Sequence, residues 1–247
     1  MSNRTALICE KYLLPVIPGE AATIKGEGRA LGYYEYINER TKETGKNLLC
    51  VEHLLSKFPK GLTVYEPFGG VGAFAALVQG LLRPATHTIG EIDADCLAQL
   101  RYVFGNTKGV RVEDVNARDA LGTEPADIYL CDFPFHTIIR YQEWKEEWKR
   151  MTSMKPQAIV WMDGAISKLH LHTENYTKAT GRLVTREPIS YARAMSEILY
   201  VDTGYHITAA AYSWGCFYFL AELGPYDDDI TITRYGEGTG ERGFQWL

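Results

Sequence analysis

The sequence predicts an α/β chain built on a mostly parallel sheet, closed toward the C-terminus by an antiparallel pair of strands. Three observations predict it. From residue 61, short runs suited to strands alternate with segments of helical period, which is the rhythm of βαβ units. The stretch "DIYLCDFPF" (127–135) is a continuous apolar run cut off by Asp132 and Pro134, as a strand covered on both faces would be. The stretch "YHITAAAYSWGCFYFLAEL" (205–223) holds two long apolar runs broken near Ser213-Trp214-Gly215, the pattern of a hairpin at a sheet edge.

Taken in order, residues 1–60 mix short apolar runs with polar turns. Their "IKGEGRALG", with three glycines and two cations, reads as a loop leading through "YYEYINERTKE" into a helix. The strand "LTVYE" then runs into a glycine turn and a helix through "GAFAALVQGLL". "THTIGEI" and the helix "ADCLAQLRYVF" follow, then "GVRVEDV" and "ADIYLCD". "YQEWKEEWKRM" is an amphipathic helix in which Trp144 and Trp148, one turn apart, pack it onto the sheet. "QAIVWMD" is a fifth strand. A polar stretch from 164 precedes a helix through "YARAMSEILY" and the hairpin. The boundaries that result are an N-terminal segment 1–60, an α/β unit 61–223, and an acidic, Gly-rich tail 224–247 expected to be loosely held or a contact segment.

Length and composition bound what the chain does. With 247 residues and 46% hydrophobic content it can bury a substantial core in one domain. A formal charge of -5 argues against an all-over basic surface for coating nucleic acid and leaves room only for a local basic face. Arg140, Lys145, Lys149 and Arg150 form the most basic patch near Asp132, and Tyr33, Tyr34 and Tyr36 beside Lys25 and Arg29 are a second candidate substrate surface. Five scattered cysteines without a CxxC pair read as reduced thiols of a cytoplasmic protein, not as structural zinc ligands. His170 and His172 lack further ligands at metal spacing and read as a polar loop, so no metal is expected. No run approaches the length of a membrane helix.

In an open parallel sheet, ligands sit beyond the carboxyl ends of the strands. After the first strand comes Glu66-Pro67-Phe68-Gly69-Gly70-Val71-Gly72, and after the second comes Glu91, 19 residues beyond Gly72, the spacing at which an acid reaches a ribose diol. After the third comes Asp119-Ala120, and after the fourth Asp132-Phe133-Pro134-Phe135. Asp119 reads equally well as a helix cap, and Asp93 or Asp95 is more simply an N-cap than a rival to Glu91. Gly70-Val71-Gly72-Ala73-Phe74-Ala75 fits a dinucleotide-binding glycine pattern. A carboxylate at Glu66, however, suits a ligand ammonium better than a pyrophosphate, which prefers bare helix N-terminal amides. The ligand implied carries an amine, a ribose and a base.

"VYEPFGGVGAF", "IGEIDADCL" and "DIYLCDFPF" resemble, in order and spacing, the S-adenosylmethionine motifs of amino-methyltransferases, above all the Dam-type DNA adenine methyltransferases with E-P-F-x-G-x-G and C-D-P-P-Y. The resemblance covers roughly residues 61–136, and "IKGEGR" is similar to a degenerate first motif of that family. It implies a Rossmann-like class I methyltransferase fold with S-adenosylmethionine as cofactor. Carried over by position, Glu66, Phe68, Gly70 and Gly72 surround the cofactor's methionine part, Glu91 binds the ribose hydroxyls, and Asp119 with Ala120 contacts the adenine. Asp132 and the Phe133 carbonyl accept the two hydrogens of an exocyclic amine, Pro134 holds the turn extended, and Phe135 stacks on the base. Two oriented acceptors favour the pyramidal nitrogen that attack on a methyl sulfonium requires. The sequence departs from the motif at Phe133, where the family has proline; a backbone carbonyl accepts without it, but the turn loses rigidity.

The implied activity is methyl transfer to an exocyclic amino nitrogen, adenine N6 in DNA first, with RNA or a protein amide as alternative substrates. A decayed fold kept for binding or assembly is the reading from another class. An economical chain without evident target-recognition elements suits a virus or mobile element.

Overall fold

The computed structural model describes residues 21–23, 30–32, 48–132, 141–162, 174, 177, 178, 180–185, 187–212 and 217–235. Near the N-terminus, β1 (Ala21–Thr23) and β2 (Ala30–Gly32) pair antiparallel. Ala30–Gly32 falls in the segment expected to be a loop; three residues are too few to leave a period-2 signature in sequence.

Among the described residues the main sheet has eight strands: β3 (Thr63–Glu66), β4 (Thr86–Glu91), β5 (Val110–Asp114), β6 (Ile128–Cys131), β7 (Ala158–Met162), β8 (Tyr205–Tyr212), β9 (Phe217–Leu223) and β10 (Thr231–Arg234). Their order is β10-β8-β9-β7-β6-β3-β4-β5. The five strands from β3 to β7 are mutually parallel, and β9 runs antiparallel to both β7 and β8. The hairpin is thus present, but it does not form the edge. Thr231–Arg234, inside the segment read as a loosely held tail, pairs parallel with β8 and takes the outermost place. The chain steps outward from β3 through β4 to β5, then returns to lay β6 on the other side of β3. That reversal between β3 and β6 is where an open α/β sheet leaves a crevice beyond its carboxyl ends.

Strand alternation sends two sets of side chains to two cores. On one face Tyr65, Tyr129, Cys131, Trp161 and Phe219 meet Trp148 and Met151 of α5 (Tyr141–Ser153) and Tyr191, Met195 and Leu199 of α6 (Pro188–Thr203). Here Trp148 stands edge-on to Trp161, with ring centroids 3.9 Å apart at 89°. Trp148 therefore packs its helix onto the sheet as expected, while the side chain of Trp144 lies outside the described residues. On the other face Val64, Leu130, Val160 and Tyr218 meet Leu48, Val51 and Leu55 of α1 (48–55) and Phe74, Leu77 and Val78 of α2 (Ala73–Leu81). Every residue of β6 and β7 is buried, which the continuous apolar runs of a sheet covered on both faces require. No helix among the described residues is long and apolar enough to cross a membrane.

Candidate functional site

The loop after β3 starts from a strand whose last residue is a fully buried acid. Glu66 shares its face of the sheet with Val64, beneath α2, while Tyr65 points to the opposite core. Beyond it the chain must turn sharply into α2, and glycine makes the turn feasible. Gly70 and Gly72 adopt φ values of 50° and 91°, a region L side chains rarely enter. A Cβ on Gly72 would also lie 2.9 Å from Phe104 Cε2 and 3.0 Å from Leu100 Cδ2. The turn is closed by the Gly72 amide donating to the Gly69 carbonyl at 2.9 Å, and tied to the neighbouring strand by the Gly69 amide donating to the Gly90 carbonyl at 2.8 Å. Phe68 is half-buried against the Tyr65 face.

Glu91 ends β4 beside that loop. Its Oε2 accepts from the Gly70 amide at 2.7 Å, and its Oε1 accepts from the amides of Ile92 at 2.7 Å and Asp93 at 2.8 Å. One carboxylate therefore fixes both the glycine loop and the start of α3 (Ala94–Phe104). Asp93, the rival considered in sequence, is the N-cap: its Oδ1 accepts from the amides of Asp95 and Cys96 at 3.2 Å. After β5, the short helix α4 (Ala117–Ala120) follows, with Asp119 exposed and Ala120 packed into the Tyr65-side core. Asp119 lies inside the turn, its own amide donating to the Asn116 carbonyl, so it is not the cap.

Asp132 follows β6 directly, partly buried, with the Tyr218 hydroxyl 3.4 Å from its Oδ1. Burial and the charge of Glu66 push its carboxyl up to about 7 from an ordinary 3.8, and only the Tyr218 hydroxyl opposes this. Glu66 is itself held well above the usual carboxylate range by burial and by the charge of Glu91. Neither Glu66 oxygen has a hydrogen-bond partner among the described residues. The strand ends β3, β4 and β6 thus present a chain of acids, Glu91 acting on Glu66 and Glu66 on Asp132, that a cation would relieve and a pyrophosphate would aggravate. The neighbouring Cys131 thiol, pushed up chiefly by burial, is inert. Phe133, Pro134 and Phe135 lie outside the described residues, as do His170, His172 and Arg140.

Sequence reasoning missed His87, Gln79 and Tyr218. His87 is fully buried on β4, its Nε2 3.2 Å from Glu66 Oε2, and its Nδ1 lies 3.0 Å from Gln79 Nε2 on α2. The available signal was a histidine within a strand otherwise suited to burial, a residue that needs a polar partner nearby.

No protein-family model matches the chain, and no curated protein sequence matches it. Solved structures do. The Pyrococcus horikoshii protein PH1948, provisionally assigned as an RNA methyltransferase, superposes with a TM-score of 0.54 at 11% identity, covering 90% of this chain and 98% of its own. A ribosomal protein L11 methylase from Lactobacillus delbrueckii subsp. bulgaricus gives a TM-score of 0.50 at 10% identity, over 84% of this chain and 83% of its own. Human N-acetylserotonin methyltransferase, solved in complex with SAM, gives 0.50 at 16% identity, over 77% of this chain and 55% of its own. The chain has the class I methyltransferase fold. The reversal between β3 and β6 sets Glu66 and Asp132 at the ends of adjacent strands, with Glu91 ending the strand on the far side of β3.

Proposed function

We propose that this chain transfers a methyl group from S-adenosylmethionine to an exocyclic amino nitrogen of a nucleic-acid base, adenine N6 in DNA being the first reading. The observation that carries it is the pairing at the switch point of a buried Glu66, its oxygens unpartnered among the described residues, with Asp132 at the end of the adjacent strand. The donor set fits the cofactor, because an ammonium is the group that an unpaired buried carboxylate lacks. Glu66, Phe68, Gly70 and Gly72 would hold the methionine part, Glu91 the ribose hydroxyls, and Asp119 with Ala120 the adenine. Bound there, S-adenosylmethionine supplies an electrophilic methyl on a sulfonium centre.

The remaining work falls to the chain's own side chains and backbone. Asp132 as carboxylate, with the Phe133 carbonyl, would accept the two amine hydrogens and turn the nitrogen lone pair out of the ring plane, Phe135 stacking on the base. A carboxyl held near 7 is also a stronger base than an ordinary one, suited to take up the proton that the nitrogen sheds. A duplex substrate would have to present its base flipped out. The likeness over 98% of its length to a Pyrococcus protein provisionally assigned as an RNA methyltransferase favours RNA as the second reading.

Incubation with methyl-labelled S-adenosylmethionine and separate pools of unmethylated DNA, RNA and protein tests the proposal. Label is expected in one nucleic acid, falling by about 100-fold or more in Asp132→Ala. Equal labelling by Asp132→Ala removes the mechanism. Cofactor binding with no label in any pool leaves a decayed fold kept for binding.

A further inference from the structure

β3 and β4 pair in parallel with Val64 opposite His87, so His87 stands on the α2 side of the sheet, two residues upstream of Glu66 on the neighbouring strand. Both side chains are fully excluded from solvent. From α2, the Gln79 amide nitrogen lies 3.0 Å from the ring's Nδ1, and an amide nitrogen is only a donor. With Nδ1 accepting from that amide, the ring proton of the neutral imidazole falls on Nε2, which is 3.2 Å from Glu66 Oε2. Burial holds His87 neutral, its pKa lowered to about 3, so no ion pair forms. The approach also falls short of an aligned hydrogen bond, leaving both atoms unpartnered among the described residues. A neutral N–H dipole beside a buried carboxylate favours its charged form without consuming that charge.

We infer that His87, locked by Gln79, is a positioning residue that aims Glu66 so that it can take the ammonium group of an amino-acid-bearing ligand. This rests on the cofactor reading above and adds to it a residue that touches no ligand. Its signature is selective: the loss should follow the ligand's ammonium, not its nucleoside.

Calorimetric titration of the full chain with S-adenosylhomocysteine and with 5′-methylthioadenosine, which lacks the amino-acid part, reads that selectivity. His87→Leu should weaken S-adenosylhomocysteine by about tenfold, the worth of one close N–H dipole on a charged group, while 5′-methylthioadenosine changes by less than about twofold. His87→Gln, which keeps an N–H donor, should recover part of the loss. If His87→Leu does not fold, Gln79→Met at its partly exposed position carries the same test, with a selective loss of about threefold. Equal losses for both ligands, or none for S-adenosylhomocysteine, overturn the inference alone. Failure of the parent protein to bind S-adenosylhomocysteine overturns the cofactor reading and the inference with it.

Discussion

Replacing Asp132 with asparagine should stabilise the protein at neutral pH while removing a pH dependence from its activity. Burial and Glu66 hold this carboxyl at about 7 in the folded chain, against 3.8 ordinarily. The folded state therefore binds the proton more tightly than the unfolded one, and stability falls as pH rises between about 4 and about 7. Full ionisation at that pKa costs roughly 4 kcal/mol; Asp132 keeps partial contact with solvent, which brings the cost to roughly 2 kcal/mol. The asparagine side chain keeps the size and an acceptor oxygen but never ionises. Urea unfolding should find the Asp132→Asn variant more stable than the parent by about 2 kcal/mol at pH 8, with the gap closing below about pH 4.5. Transfer activity of the parent should rise through about pH 7 as Asp132 ionises, and the variant should lack that limb. A gap that does not change with pH, or a variant less stable than the parent at pH 8, would mean that Asp132 is not held protonated in the folded chain.

Four further substitutions read other parts of the site. Glu66→Gln removes a carboxyl held above its usual range in a fully buried position, so its thermal midpoint should rise relative to the parent at pH 8. Glu91→Ala takes acceptors from the amides of Gly70, Ile92 and Asp93, and chemical denaturation should register a loss of about 1 to 3 kcal/mol together with weaker cofactor binding. Gly72→Ala forces a side chain into φ 91° and against Phe104 and Leu100, costing roughly 2 kcal/mol by thermal unfolding, whereas Asp119→Ala on the exposed turn of α4 should stay within about 0.5 kcal/mol.

Features governed by a run of residues were readable in sequence, and features that hang on a single contact were not. The strands β6 and β7 announced themselves because burial on both faces demands an unbroken apolar run, and Asp132 followed because that run stops there. The turn before α2 was legible through glycines that carry positive φ, and the cap at Asp93 through its place ahead of a helical period. β10 was hidden because "TITR" is short, half-exposed and preceded by three aspartates, so only pairing with β8 makes it a strand. His87 was hidden for a different reason. Its meaning lies in a 3.2 Å approach to a residue 21 positions away, set by the register of β3 against β4, which no local pattern encodes. Among the site residues, Glu66, Gly70, Gly72 and Glu91 come together, and Asp132 joins them across the switch point.

If Glu66 at the end of β3 receives the ammonium of S-adenosylmethionine, removing its carboxylate should cost affinity for that cofactor. Calorimetric titration of the parent and of Glu66→Gln with that cofactor tests it most directly. Saturable one-site binding by a folded parent and a loss of at least about tenfold in the equally folded variant are expected. Absence of binding by the parent, or equal affinity in the two proteins, would contradict it.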